Sequence, residues 1–192
     1  MWRAFLAGDE EAVLAALEAA FEDNQAPAAA VGFDAGALSV IARFPQVDGL
    51  IPERYATTTP TGRPTIKKRT KTGRHEMYLL ALCSCVLATV KETFAAAPAV
   101  QSVNLVAVWD DAGDRMLTPI FCGTFARETF RDVDWSRDAH EILLEVAPRS
   151  VLEVTGRTMQ PRPLKLAGEP ELRQSVEAIG AQLGLHLDPR CE

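Results

Sequence analysis

Hydrophobic and polar positions alternate along this chain with two different periods, and the period changes mark the elements. Val13, Leu14, Leu17, Ala20 and Phe21 recur at helical spacing behind Asp9, Glu10 and Glu11, acids that suit the positive end of a helix dipole. The spacing predicts a helix over Asp9–Glu22, broken at Asn24–Pro27. Ala28–Phe33 and Ala37–Phe44 read as two strands around the turn signal Asp34-Ala35-Gly36, with Pro45 ending the second. Arg74–Phe94 contains neither Gly nor Pro, and Thr72-Gly73 stands before it as a candidate cap. Leu79, Cys83, Val86, Val90 and Phe94 form one apolar face, and Leu80, Leu82 and Leu87 extend it nearly all round. Such a helix is central and covered on several sides.

Val103–Trp109 is β-like, and Asp110-Asp111-Ala112-Gly113-Asp114 follows as a turn. Met116–Phe125 returns as its partner, with Pro119 marking an edge or a bulge. A helix over Arg137–Val146 follows, with Ser136 as candidate cap, then a short strand over Val151–Val154. The amphipathic stretch Glu169–Leu183 closes the chain as a helix on Leu172, Val176, Ile179 and Leu183, and Gly184 fits its C-terminal cap. The order α-β-β-arm-α-β-β-α-(β)-α places consecutive hairpins beside a long central helix. It predicts an α+β fold with antiparallel hairpins, built as a single domain over 1–192.

Residues 45–72 follow neither period. Pro45, Pro52, Pro60 and Pro64 with Thr57, Thr58, Thr59, Thr61 and Thr65 exclude regular helix for most of the stretch, which predicts an extended Pro/Thr-rich arm. Charge singles out the same stretch. The 192 residues carry 20 basic and 26 acidic side chains, a formal net charge of −6. Between Arg54 and His75 stand seven cations (Arg54, Arg63, Lys67, Lys68, Arg69, Lys71 and Arg74) and no acid. The rest of the chain carries 13 basic and 26 acidic residues, a formal −13. Three readings fit such an arm: binding of nucleic-acid phosphates, docking on an acidic protein partner, and packing against the protein's own acidic surface. Tyr55 and Tyr78 flank the arm too far from its lysines in sequence to count as interleaved stacking residues.

Catalytic signals are missing. No Walker phosphate loop, G-x-G-x-x-G, C-x-x-C, H-E-x-x-H or G-x-S-x-G occurs. The residues two before the five lysines are Thr65, Ile66, Arg69, Thr89 and Pro163, so the E-x-K or D-x-K of a restriction-type nuclease is absent. Asp110, Asp111 and Asp114 are acids in a turn, where Asp is favoured without any metal. Asp132, Asp134, Asp138, His140 and Glu141 read as a solvated helix start, and His75 as a surface residue at a helix N-terminus. His186-Leu187-Asp188 reads as exposed. Cys83, Cys85, Cys122 and Cys191 show no disulfide framework, and residues 83 and 85 sit roughly 200° apart around a helix. They are expected to be reduced, mostly buried thiols, with Cys122 a small core residue. Trp109 and Trp135 are expected as core or edge anchors. The apolar run at Trp2–Leu6 is too short for a signal-peptide core, and no run approaches ~18 uninterrupted apolar residues. The expectation is a cytoplasmic protein without membrane contact, metal or cofactor.

Pro60-Thr61-Gly62-Arg63-Pro64-Thr65, then Lys67-Lys68-Arg69-Thr70-Lys71, leads into Leu79-Leu80-Ala81-Leu82 and Val86–Glu92, with a hairpin at Val103–Phe125. This layout, over about residues 30–165, resembles the accessory region upstream of the nuclease domain in Mrr-like restriction-system proteins of actinobacteria. The resemblance implies a bacterial defence or nucleic-acid context and carries over no catalytic residue. The expected function is therefore a non-enzymatic module that binds a macromolecule through Arg63, Lys67, Lys68, Arg69, Lys71 and Arg74, nucleic-acid phosphates first. The alternative is an assembly module that forms a homo-oligomer or docks an acidic protein partner.

Overall fold

The computed structural model describes residues 5–6, 8–22, 24, 26–109, 116–166, 170–184, 186–188 and 191. The first helix, α1 (Glu10–Phe21), is capped by Asp9, whose carboxylate accepts from the Ala12 N–H at 3.0 Å. β1 (Ala28–Asp34) and β2 (Ala37–Phe44) form the expected hairpin. Ala35 and Gly36 at its tip both take positive φ, 46° and 84°, as a type I′ turn requires. A short helix α2 (Val47–Leu50) and the strands β3 (Arg54–Thr58) and β4 (Pro64–Lys68) precede the long helix α3 (Lys71–Ala96). β5 (Ser102–Trp109), β6 (Met116–Leu117) and β7 (Pro119–Ala126) follow. A 3-10 turn at Arg127–Phe130, α4 (Ala139–Val146), α5 (Pro170–Leu183) and β8 (His186–Leu187) complete the chain.

The main sheet runs β1-β2-β5-β7. The α+β class holds, but the expected antiparallel sheet is mixed: β2 and β5 pair in parallel from Ala37↔Ser102 to Phe44↔Trp109. Residues 45–101 make this possible, because parallel neighbours need a long crossover and α3 supplies one. Hairpin signals between sequence neighbours could not reveal that pairing. Side chains alternate across the sheet. Leu38, Val40, Val103, Leu105 and Phe125 face one core with α1, α3 and α4. Ile41, Val106, Val108 and Cys122 face a second core with α5 and residues 164–166. The central strands are thus covered on both faces, which explains their nearly continuous apolar sequence. Gly123 is required on β7, since a Cβ there would stand 2.8 Å from the Phe121 ring.

Several boundaries move for physical reasons. The expected strand Met116–Phe125 divides: β7 pairs with β5, whereas β6 pairs with β8. Pro119 lies where the β5–β7 register shifts, on the edge strand, as its missing N–H demands. Thr70, rather than Thr72, caps α3, accepting from the Gly73 N–H at 3.0 Å. Asp138 caps α4, because Ser136 instead donates its N–H and hydroxyl to Asp134. The expected strand at 151–154 reduces to isolated bridges, Cys122↔Val151 and Val154↔Pro161. Gly184, with φ 67°, ends α5 as expected. The acidic turn at Asp110–Asp114 lies outside the described residues.

Among the described residues α3 is long and apolar enough, by length and composition, to cross a membrane. Half of its most apolar window is buried inside the protein, where it forms the middle of the larger core. Arg127 closes its C-terminal end. The guanidinium donates to the carbonyls of Phe94, Ala97 and Val100 at 2.8, 2.7 and 2.6 Å and lies over the Phe94 ring. These bonds satisfy carbonyls that a helix end leaves unpaired, and the cation sits at the negative end of the dipole.

Candidate functional site: a basic ribbon beside the central helix

The stretch expected as an irregular arm is mostly a β-ribbon. β3 and β4 pair from Arg54↔Lys68 through Tyr55↔Lys67, Ala56↔Ile66 and Thr57↔Thr65 to Thr58↔Pro64. The prolines that exclude helix permit this, since Pro60 lies in the turn and Pro64 is the first residue of β4. Gly62 takes φ 78° in that turn, and the Thr59 hydroxyl accepts the Arg63 N–H at 3.0 Å. The ribbon is a separate two-stranded sheet. Ile66, near its middle, is 69% exposed.

The six predicted cations divide into two groups. Arg63, Lys67, Lys68 and Lys71 are exposed, and Arg69 is half-buried at the ribbon's base. Arg63, Lys67 and Lys71 form no ion pair among the described residues. Lys68 reaches Glu53 at 2.7 Å, which holds the Glu53 carboxyl below its ordinary pKa, first through the hydrogen bond and then through the Lys68 charge. The bridge also eases the like-charge pair Arg54↔Lys68. Arg69 lies over the Tyr55 ring, 4.4 Å from its centroid, and its Nε is buried without a hydrogen-bond partner.

Arg74 is engaged within the protein, unlike Arg63, Lys67 and Lys71. It donates to the Ile51 carbonyl through Nε at 3.1 Å and through Nη2 at 2.7 Å, and Nη2 also reaches Asp48 at 2.7 Å. It fastens the loop after α2 to the first turn of α3, as Arg127 fastens the far end. Among the described residues the basic stretch pairs with the protein's own acids at Asp48 and Glu53. No described ion pair joins the ribbon to the acids of α1.

Sequence spacing misled on Tyr55. It stands directly opposite Lys67 and beneath Arg69, so an aromatic ring is interleaved with the cations after all. The strand register that brings positions 55 and 67 together is set by the turn. A Tyr in the first strand of a Pro/Gly-punctuated basic stretch was the available signal. Tyr78 faces inward: its hydroxyl donates to the Pro45 carbonyl at 2.8 Å and accepts from Trp109 Nε1 at 3.0 Å. Burial pushes its pKa up to about 12, against a lowering by the Trp109 hydrogen bond. His75, expected at the surface, is buried, with Nδ1 3.0 Å from the Thr158 carbonyl. A helix N-terminus is a surface only where no loop crosses it, and residues 155–160 cross this one. Asp188 is likewise buried, accepting from the Thr118 hydroxyl at 3.1 Å, while His186 is exposed as expected. Trp135 is 41% exposed, with Lys91 4.4 Å over its ring centroid.

No group of His, Cys, Asp and Glu among the described residues could hold a metal ion. Cys83, Cys85, Cys122 and Cys191 are free thiols. Burial pushes Cys83 and Cys122 up to about 12 and also raises Cys85, which suppresses the nucleophilic thiolate. The fold and its site together define an α+β sandwich bearing a basic β-ribbon. Comparison with protein-family models, curated proteins and solved structures finds no match.

Proposed function

We propose that this protein is a non-enzymatic binding module whose β3–β4 ribbon contacts nucleic-acid phosphates. One observation carries this reading: exposed Arg63, Lys67 and Lys71, which form no ion pair among the described residues, stand with Lys68 on or beside a separate two-stranded ribbon on an otherwise acidic protein. Cations in that setting release counterions from a phosphate backbone, while the acidic remainder repels the backbone and restricts contact to the ribbon. A two-stranded ribbon fits the major groove of duplex DNA, which is about 12 Å wide. Tyr55 adds a ring beside the cations. The resemblance to the accessory region of Mrr-like proteins favours a bacterial, cytoplasmic defence setting. Arg74 is left out of the site because its guanidinium is engaged by Ile51 and Asp48.

Fluorescence anisotropy with labelled duplex DNA and single-stranded RNA, at low and near-physiological salt, tests the reading. Binding should weaken steeply with salt. Changing Arg63, Lys67 and Lys71 together to Gln should lower the duplex-DNA salt slope by about 0.9 for each phosphate contact removed. An absence of binding at low salt, or an unchanged slope in the triple variant, overturns it. Assembly is the second reading, favoured by Ile66, whose exposure leaves an apolar side chain among cations on the ribbon.

A further inference from the structure

We infer that the groove between α1 and β1 receives the basic ribbon of a second copy of this chain, with β4 of one copy pairing along β1 of the other. This uses the ribbon as a binding element and does not depend on nucleic acid being its other ligand.

β1 is an edge strand of the main sheet. The Arg43 N–H donates to the Pro27 carbonyl, and Ala29 stands opposite Ile41. Antiparallel alternation then turns the N–H and C=O of Ala28 and Ala30 away from β2, toward the groove. Beyond the register shift at Val31 the outward N–H is that of Phe33, and it is already taken by the Glu10 carboxylate at 3.4 Å. Among the described residues the open stretch of edge is therefore 28–30. Its side chains are single methyl groups, which let another backbone approach. Exposed edges of this kind accept an added strand through main-chain hydrogen bonds.

Charge selects the occupant. Glu10, Glu11, Glu18 and Glu22 line the groove with Ala28 and Ala30, so an incoming strand must be basic. The ribbon meets that requirement and supplies the matching edge. The Arg69 N–H donates to Glu53 and the Thr59 N–H to Arg63, so Ile66 and Lys68 carry the outward backbone groups of β4. Ala28 and Ala30 on one edge, and Ile66 and Lys68 on the other, share a spacing of two residues. Lys67 and Arg63 extend beside them toward the glutamates. Among the described residues the ribbon has no ion pair with α1 in the same copy, so its cations and the groove's glutamates are not matched to each other within one copy. Groove and ribbon are different surfaces, so the contact is head-to-tail.

Sedimentation velocity across a range of concentrations, without nucleic acid, tests the inference. The unaltered protein should associate at low salt and dissociate at high salt. Glu18→Lys with Glu22→Lys should abolish association, as should Arg63→Glu with Lys67→Glu. All four positions are exposed, and unchanged melting curves confirm that each variant folds. Mixing the two variants should restore association, because the unaltered ribbon of one fits the unaltered groove of the other and the reversed groove fits the reversed ribbon, so the two variants alternate while neither associates alone. The Glu18→Lys, Glu22→Lys variant should still bind nucleic acid, no more weakly than the unaltered protein since it has lost repelling charge, which separates this inference from the proposed function. A protein that stays monomeric at low salt, a groove variant that still associates, or a mixture that does not pair overturns the inference.

Discussion

The pairs β2–β5 and β3–β4 are built from similar backbone hydrogen bonds and held in opposite ways. β2 and β5 are covered on both faces, and Leu38, Val40, Val103 and Leu105 are fully buried. β3 and β4 have no buried residue, and their most apolar side chain, Ile66, is largely in solvent. An isolated two-stranded hairpin is marginal in water, whereas a strand packed on two sides is fixed by the surrounding core. The first pair therefore carries the fold. The second leaves its side chains in solvent and contributes none to the core. The arginines repeat the contrast, since Arg74 and Arg127 are locked on carbonyls at the two ends of α3 while Arg63 extends into solvent.

The sharpest way to break this contrast is a matched pair of truncations. Leu105→Ala should destabilise the protein by about 2–5 kcal/mol, as a cavity in a closed core does. Ile66→Ala should stay within about 0.5 kcal/mol, as exposed substitutions do. Urea melts of both check this, and a large loss for Ile66→Ala would mean that the ribbon belongs to the core. A smaller effect is expected at the arginines. Arg127→Ala removes the guanidinium bonds to the Phe94, Ala97 and Val100 carbonyls, of which Ala97 keeps the Val100 N–H, and should cost about 3 kcal/mol, on the order of one or two charged hydrogen bonds. Arg63→Ala should leave the melting temperature unchanged while weakening nucleic-acid binding.

The smallest effect concerns pH. Cys83 lies in the core on one side of the sheet and Cys122 in the core on the other. Burial raises both from 9.0 to about 12, and Tyr78 from 10.0 to about 12. A folded pKa above the unfolded one gives stability that is complete below the unfolded value and lost as pH rises through the folded one. Melting temperature should therefore fall as pH climbs from about 9 toward 12. In the native state at about pH 8 a thiol-specific disulfide reagent should leave both cysteines unmodified, and denaturant should expose them. Rapid native labelling of Cys122 alone would show that the α5 layer is loose.

Much of this molecule was legible without coordinates. The periods placed α1, the β1–β2 hairpin, α3, β5, α4 and α5 within a few residues, because each depends on side-chain spacing and local caps. Pro119 announced its bulge by its missing N–H. The cationic stretch was evident as charge. Other features depend on residues distant in the chain. The parallel β2–β5 pairing depends on where α3 returns the chain. The division of the cations into exposed Arg63, Lys67 and Lys71 and engaged Arg74 depends on the Ile51 carbonyl and Asp48, which lie more than twenty residues earlier. His75 and Asp188 left the surface only because the 155–160 loop and β6 cross over them. The sequence by itself determined which segments are helix, strand or punctuation, since local sterics and periodicity decide that. Tertiary structure alone decided which strands are neighbours, which charges are already satisfied and which remain free to bind.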